Sequence, residues 1–134
     1  MADSMNEYLR QDLSCDHLLE CIYGLKDLDR EVFGTIVSSG EHLTVDEIAD
    51  AVDRERSTAY RSVQRLVQTG FVQKEQINYD DGGYYHVFTA SDPDMVADEM
   101  QRLLNDWYSK IGQLIQEFRD QYSYKDDQAA IQNA

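Results

Sequence analysis

Residues 44–90 read TVDEIADAVDRERSTAYRSVQRLVQTGFVQKEQINYDDGGYYHVFTA, and the period of the apolar residues changes once along that stretch. Thr44 and Glu47 stand three apart, the spacing at which the threonine caps the Glu47 amide and the glutamate answers to the threonine amide. Ile48, Ala49 and Val52 then give a short helix one apolar face. Asp53 is a candidate cap for a second helix, in which Ala59, Val63, Leu66 and Val67 recur at helical spacing until Gly70 stops it. Beyond Gly70 the pattern becomes β-like. FVQKEQINY and YYHVFTA are rich in aromatic and β-branched residues, and Asp80, Asp81, Gly82 and Gly83 between them are a strong hairpin signal.

Upstream, Asp27 is a candidate cap for a helix carrying Leu28, Val32, Phe33, Ile36 and Val37 and ending near Gly40. Before it, Met5, Tyr8, Leu9 and Leu13, and then Leu18, Leu19, Ile22 and Tyr23 ahead of Gly24, predict one or two short amphipathic helices. Downstream, Ser91, Asp92 and Pro93 form a helix start, with proline at the first helical position. The apolar residues that follow are Val96, Met100, Leu103, Trp107, Ile111, Leu114, Phe118 and Tyr122, which repeat at 11 residues. That repeat keeps the stripe on one face of a nearly straight helix. A helix of about 30 residues is a rod of roughly 45 Å, more than a small domain covers, so a second copy of the chain is the expected partner. Packing back on its own domain is the alternative. The final KDDQAAIQNA reads as a frayed tail.

Helix, short helix, longer helix and Gly-tipped hairpin is the order of a winged helix-turn-helix, whose third helix enters the DNA major groove while the hairpin, or wing, reaches the backbone or minor groove. The expected fold is mainly α with a small β-hairpin wing (α+β). Its expected parts are an N-terminal helical extension (1–24), the winged domain (25–90), a dimerisation helix (91–122) and a flexible tail (123–134).

Charge points to the same place. The chain of 134 residues carries 26 Asp and Glu against 12 Lys and Arg, a net charge of -14. Yet Arg54, Arg56, Arg61 and Arg65 fall within 12 positions that hold a single Glu, so that window is +3 and the remaining 122 residues carry -17. If Ala59, Val63 and Leu66 face the core, Ser57, Thr58, Arg61, Gln64 and Arg65 project from the opposite side, with Tyr60 beside them. Arginine forks to guanine, glutamine pairs with adenine, and serine or threonine holds phosphate. Arg54 and Arg56, at the helix start, suit phosphates and the first base edges. The wing offers Lys74 and His86 but carries Asp80 and Asp81 at its tip, where acid beside phosphate calls for bridging potassium or other cations.

At these residues a family resemblance becomes specific. The run LKDLDREVFGTIVSSGEHLTVDEIADAVDRERSTAYRSVQRLVQTGFVQKE resembles the DNA-binding domain of TrmB-like and MarR-like archaeal regulators, above all in RSTAYRSVQRL leading to GFV and the wing. The dispersed acidity, the scarcity of lysine and the long last helix make the chain similar to haloarchaeal single-winged-helix regulators, some of which respond to oxidative stress. The resemblance implies a homodimeric transcription regulator on a palindromic site, without the sugar-binding domain of larger TrmB proteins. The acidic wing tip departs from the common pattern.

With no ligand domain expected, a signal would act on thiols, ions or the dimer interface, and no small-molecule ligand is expected. Cys21, one helical turn from His17, is the candidate redox switch and Cys15 the second thiol. The spacing of the two does not suit an internal disulfide on one helix. No CxxC pair is present, so no metal site or other cofactor is expected. Phosphate-binding glycine loops, HExxH and GxSxG are absent, which speaks against an enzyme. Neither an apolar span nor a secretory signal is present, so the expected setting is cytoplasmic, away from membranes. The alternative is a winged helix used as a protein-interaction module, against which the Arg-rich third helix argues.

Overall fold

The computed structural model describes Ser4, Asn6, Glu7 and residues 14–123. The apolar stripe expected over Met5, Tyr8, Leu9 and Leu13, and the tail expected from residue 124 onward, lie outside the described residues. From Ser14 onward the described elements follow in the expected order: α1 (Cys15–Tyr23), α2 (Asp27–Ser39), α3 (Val45–Val52), α4 (Arg56–Gln68), β1 (Val72–Asn78), β2 (Tyr84–Ala90) and α5 (Pro93–Tyr122). They form two compact units, divided after Pro93.

Local hydrogen bonds set the helix starts in the first unit. Ser14 caps α1, its Oγ accepting from the His17 amide while His17 Nδ1 accepts from the Ser14 amide. At α3 the expected capping box is present: the Glu47 amide donates to Thr44 Oγ1 at 3.2 Å and the Thr44 amide to Glu47 Oε1 at 2.8 Å. Two expected caps are displaced. Lys26, not Asp27, precedes α2, and its amide is taken by Asp29 Oδ2. Asp53 does not open α4 but closes α3, in the left-handed region at φ 55°, and Glu55 precedes α4 instead. The carbonyls at the end of α3 need that left-handed turn, and no glycine is there to supply it.

Three helices and the hairpin base share one core. Val32 and Ile36 of α2, Ile48 and Val52 of α3, and Ala59, Val63 and Leu66 of α4 are all buried, with Phe71, Val72, Val87 and Phe88 closing it from the wing. Each of these larger side chains, Ala59 aside, contributes about 1.5–3 kcal/mol on leaving water. Phe71 packs edge-on against both Tyr23 and Phe33, with ring centroids 5.0 and 5.3 Å apart, which anchors α1 and α2 at the wing base.

The strands pair antiparallel from Val72↔Ala90 to Asn78↔Tyr84. Tyr79 to Gly83 form the tip, where Gly82 and Gly83 take φ of 98° and 82°. β2 is also bridged on its other edge, where Leu43 and Phe88 exchange backbone hydrogen bonds of 2.9 and 2.7 Å. The wing is therefore tied back to the segment ahead of α3. Among the described residues, no helix is long and apolar enough to cross a membrane.

Candidate nucleic-acid interface

Because Ala59, Val63 and Leu66 are committed to the core, α4 has only its other side to offer. Arg56, Ser57, Tyr60, Arg61, Gln64 and Arg65 are exposed there and Thr58 is half-buried, which is the face expected from the sequence. Arg54 is exposed in the turn just before it.

The four arginines are not equivalent. Among the described residues, Arg61 has no hydrogen-bond or ion-pair partner and is free to engage a ligand. Arg54 rests its Nη1 on the Val52 and Asp53 carbonyls at 3.4 and 3.3 Å. Arg56 donates from Nε to Asp46 Oδ1 of α3 at 2.9 Å, with both side chains largely exposed. Water screens such a pair, and it exchanges readily.

Arg65 projects on the expected face and is also held from behind: it forks onto Asp29 of α2, with Nη2 2.8 Å from Oδ1 and Nε 3.1 and 3.2 Å from the two carboxylate oxygens. The Asp29 side chain is 1% exposed and that of Arg65 48%. Ser62, fully buried on the core side of α4, adds a hydrogen bond from Oγ to Asp29 Oδ1 at 2.6 Å. Burial, the largest single influence, pushes the Asp29 carboxyl up. Hydrogen bonds from Arg65, Ser62 and the Lys26 amide, together with the Arg65 charge, outweigh it and hold the group below its ordinary value. Asp29 and Ser62 are site residues that no motif in the sequence marks. Ser62 stands three after Ala59 and four before Leu66, which marks it as core-facing, but no local signal joins it to Asp29.

The wing has two unlike faces. The strand register puts Lys74, Gln76, Asn78, Tyr84 and His86 on one, all able to donate hydrogen bonds and none a carboxylate. Glu75, Ile77, Tyr85 and Val87 lie on the other, where Glu75 pairs with His42 at 3.2 Å beside Thr44 and Glu47 in a shallow groove. Lys74 and His86, expected in DNA contact, thus share the acid-free face, the His86 ring lying 5.4 Å from that of Tyr84. Asp80 and Asp81 sit exposed at the tip.

In the second unit, Trp107, Ile111, Leu114, Phe118 and Tyr122 of α5 are exposed, Trp107 to 58%, while Val96, Met100 and Leu103 are half-buried. Leu104, Tyr108 and Ile115 are exposed as well, though the 11-residue repeat omits them. With Ile111, Phe118 and Tyr122 they alternate in steps of four and three, the spacing of a coiled-coil seam. The apolar band is thus wider than the repeat alone indicates.

Cys15 and Cys21 are free and exposed on α1. His17, one helical turn before Cys21, uses its ring nitrogen Nδ1 at the start of the same helix, where it accepts from the Ser14 amide. Among the described residues, no group of three His, Cys, Asp or Glu side chains is arranged to hold a metal ion.

Residues 19–94 match the family described as the sugar-specific transcriptional regulator TrmB. Two uncharacterised proteins of Methanocaldococcus jannaschii are similar in sequence. MJ1503 is 31% identical over 102 residues, covering 76% of each chain. MJ1082 is 31% identical over 105 residues, 78% of this chain and 86% of that one. Among solved structures, a possible transcriptional regulator from Methanosarcina mazei superposes with a TM-score of 0.68 at 22% identity, covering 80% of this chain and 94% of that one. The ST1889 protein of Sulfolobus tokodaii gives 0.56 at 17% identity, over 73% and 91%. At such identities these two likenesses are of fold.

Proposed function

The chain belongs to the TrmB family of transcriptional regulators, and from that premise we propose that it binds double-stranded DNA as a homodimer, with α4 in the major groove and α5 pairing the two copies. One observation carries the reading. In a chain of net charge -14, four arginines concentrate at a single helix and the turn before it, and that helix turns its small and apolar side chains inward and Arg56, Arg61, Gln64 and Arg65 outward. A helix that served only to cover the core would not need that concentration of cation.

Arg61 and Gln64 are the readers of bases, supported by Ser57, Thr58 and Tyr60, and Arg54 and Arg56 hold phosphates at the helix start. The acid-free wing face, with Lys74 and His86, lies toward DNA, and potassium ions shield Asp80 and Asp81 from the phosphates. The same acidity suits a halophilic cytoplasm, where molar salt screens the self-repulsion of the chain. The exposed thiols of Cys21 and Cys15 are the points at which oxidative stress would be sensed.

The test is selection of bound sequences from random duplex DNA at molar KCl, with and without oxidant. An enriched inverted repeat is the expected outcome, lost with Arg61→Glu, and lost on oxidation of the wild type but not of Cys21→Ser. Absence of any enriched sequence would favour a protein-interaction module instead.

A further inference from the structure

We propose that the outer edge of the Arg65 guanidinium is a DNA-phosphate site whose geometry is built by Asp29 and Ser62, an addition that rests on the DNA-binding reading. A guanidinium carries five N–H donors in one plane, four of which form two forks. Asp29 fills the side fork, taking the Nε proton and one from Nη2. Nothing among the described residues accepts from Nη1, so the end fork is open. The two ends of this side chain are in different surroundings, because its partner carboxylate is sealed from water while the guanidinium remains half exposed.

Asp29 is a fixed support. Besides Arg65 it receives Ser62 Oγ from α4 and the Lys26 amide from the start of α2, so its oxygens are held from two helices. An arginine clamped at one fork has already lost its rotamer freedom before a ligand arrives, and the free fork matches two oxygens of a phosphate. Arg65 also lies four residues after the unpaired Arg61, one turn along the same exposed face. The carboxylate balances the charge of Arg65. The site therefore holds phosphate by hydrogen-bond geometry more than by net charge, and adds little to counterion release.

The experiment uses a duplex recovered by selection, in which each backbone phosphate is replaced in turn by an uncharged methylphosphonate. Affinity is measured at several KCl concentrations for the wild type, Arg65→Lys and Asp29→Asn, with Arg61→Glu as the control of the underlying reading. Arg65→Lys keeps a cation against Asp29 but has no second fork. Asp29→Asn keeps Arg65 but loosens its support. The expected result is one position in each half-site where the neutral linkage costs the wild type about tenfold, the worth of one charge-assisted contact. That penalty disappears in Arg65→Lys. In Asp29→Asn it spreads to neighbouring phosphates and the salt dependence steepens. Phosphate maps and affinities of both variants that superimpose on those of the wild type would overturn the proposal and leave Arg65 a purely structural residue. A selection in which the wild type, like Arg61→Glu, enriches no duplex would instead overturn the DNA-binding reading on which it rests.

Discussion

Asp29 shows how one side chain serves stability and site together. Its carboxyl is held below the ordinary value of 3.8, so the ionised form is favoured by folding. Stability from such a group is fully present above its unfolded pKa and is lost as pH falls through that value toward the folded one. Asp29→Asn should therefore cost about 1–3 kcal/mol at neutral pH, the worth of disrupting a buried charged hydrogen-bond network. It should also flatten the loss of melting temperature seen in the wild type below about pH 4. Asp46 should behave in the opposite sense toward DNA. Asp46→Asn releases Arg56 from an exposed pair worth about 0.2–1 kcal/mol, so DNA affinity should rise up to about fivefold, with the slope of log affinity against log salt steeper by about one. Fluorescence anisotropy across a KCl series measures both. At this scale the sequence disclosed which side of α4 faces out, because Ala59, Val63 and Leu66 mark the other side. It did not disclose the pairings, since Asp29 and Arg65 are 36 residues apart and no local pattern joins them.

Helices and strands were the most legible parts of the chain, because each is signalled within a few residues. The Thr44–Glu47 box, the change of period after Gly70 and the proline opening α5 all stand where the sequence placed them. Thr44→Ala should remove one cap and lower stability by about 1 kcal/mol, seen as a drop of several degrees in the melting temperature. Helix ends were less legible where acidic residues are abundant, since any nearby Asp satisfies the pattern of a cap. Asp27 and Asp53 both look like caps, but the Asp29 carboxylate reaches back to the Lys26 amide and moves the first start by one residue. Asp53 is drawn into a left-handed turn by the end of α3. The spare width of the α5 band was missed for a related reason: the 11-residue repeat accounted for eight apolar positions and left Leu104, Tyr108 and Ile115 outside it.

For the whole molecule, the family and the order of the elements could be read in advance, whereas the proposed homodimer depends on the exposed apolar band of α5. A homodimer joined through that band should melt at a temperature that rises with protein concentration, since association stabilises the folded chain by mass action. Ile111→Asp or Phe118→Asp should give a monomer in sedimentation at molar KCl, with α-helical content reduced. Dimers of both variants at the wild-type dissociation constant would show that the copies meet elsewhere. A different consequence follows from the pairing of Arg56 with Asp46 and of Arg65 with Asp29. On the proposed mode of DNA binding, each of these contacts is an exchange, in which phosphate competes with or joins a carboxylate already in place. Substitution at the two aspartates then changes the strength of binding while Arg61 and Gln64, proposed to read the bases, stay as they are, so strength and sequence preference are set by different codons.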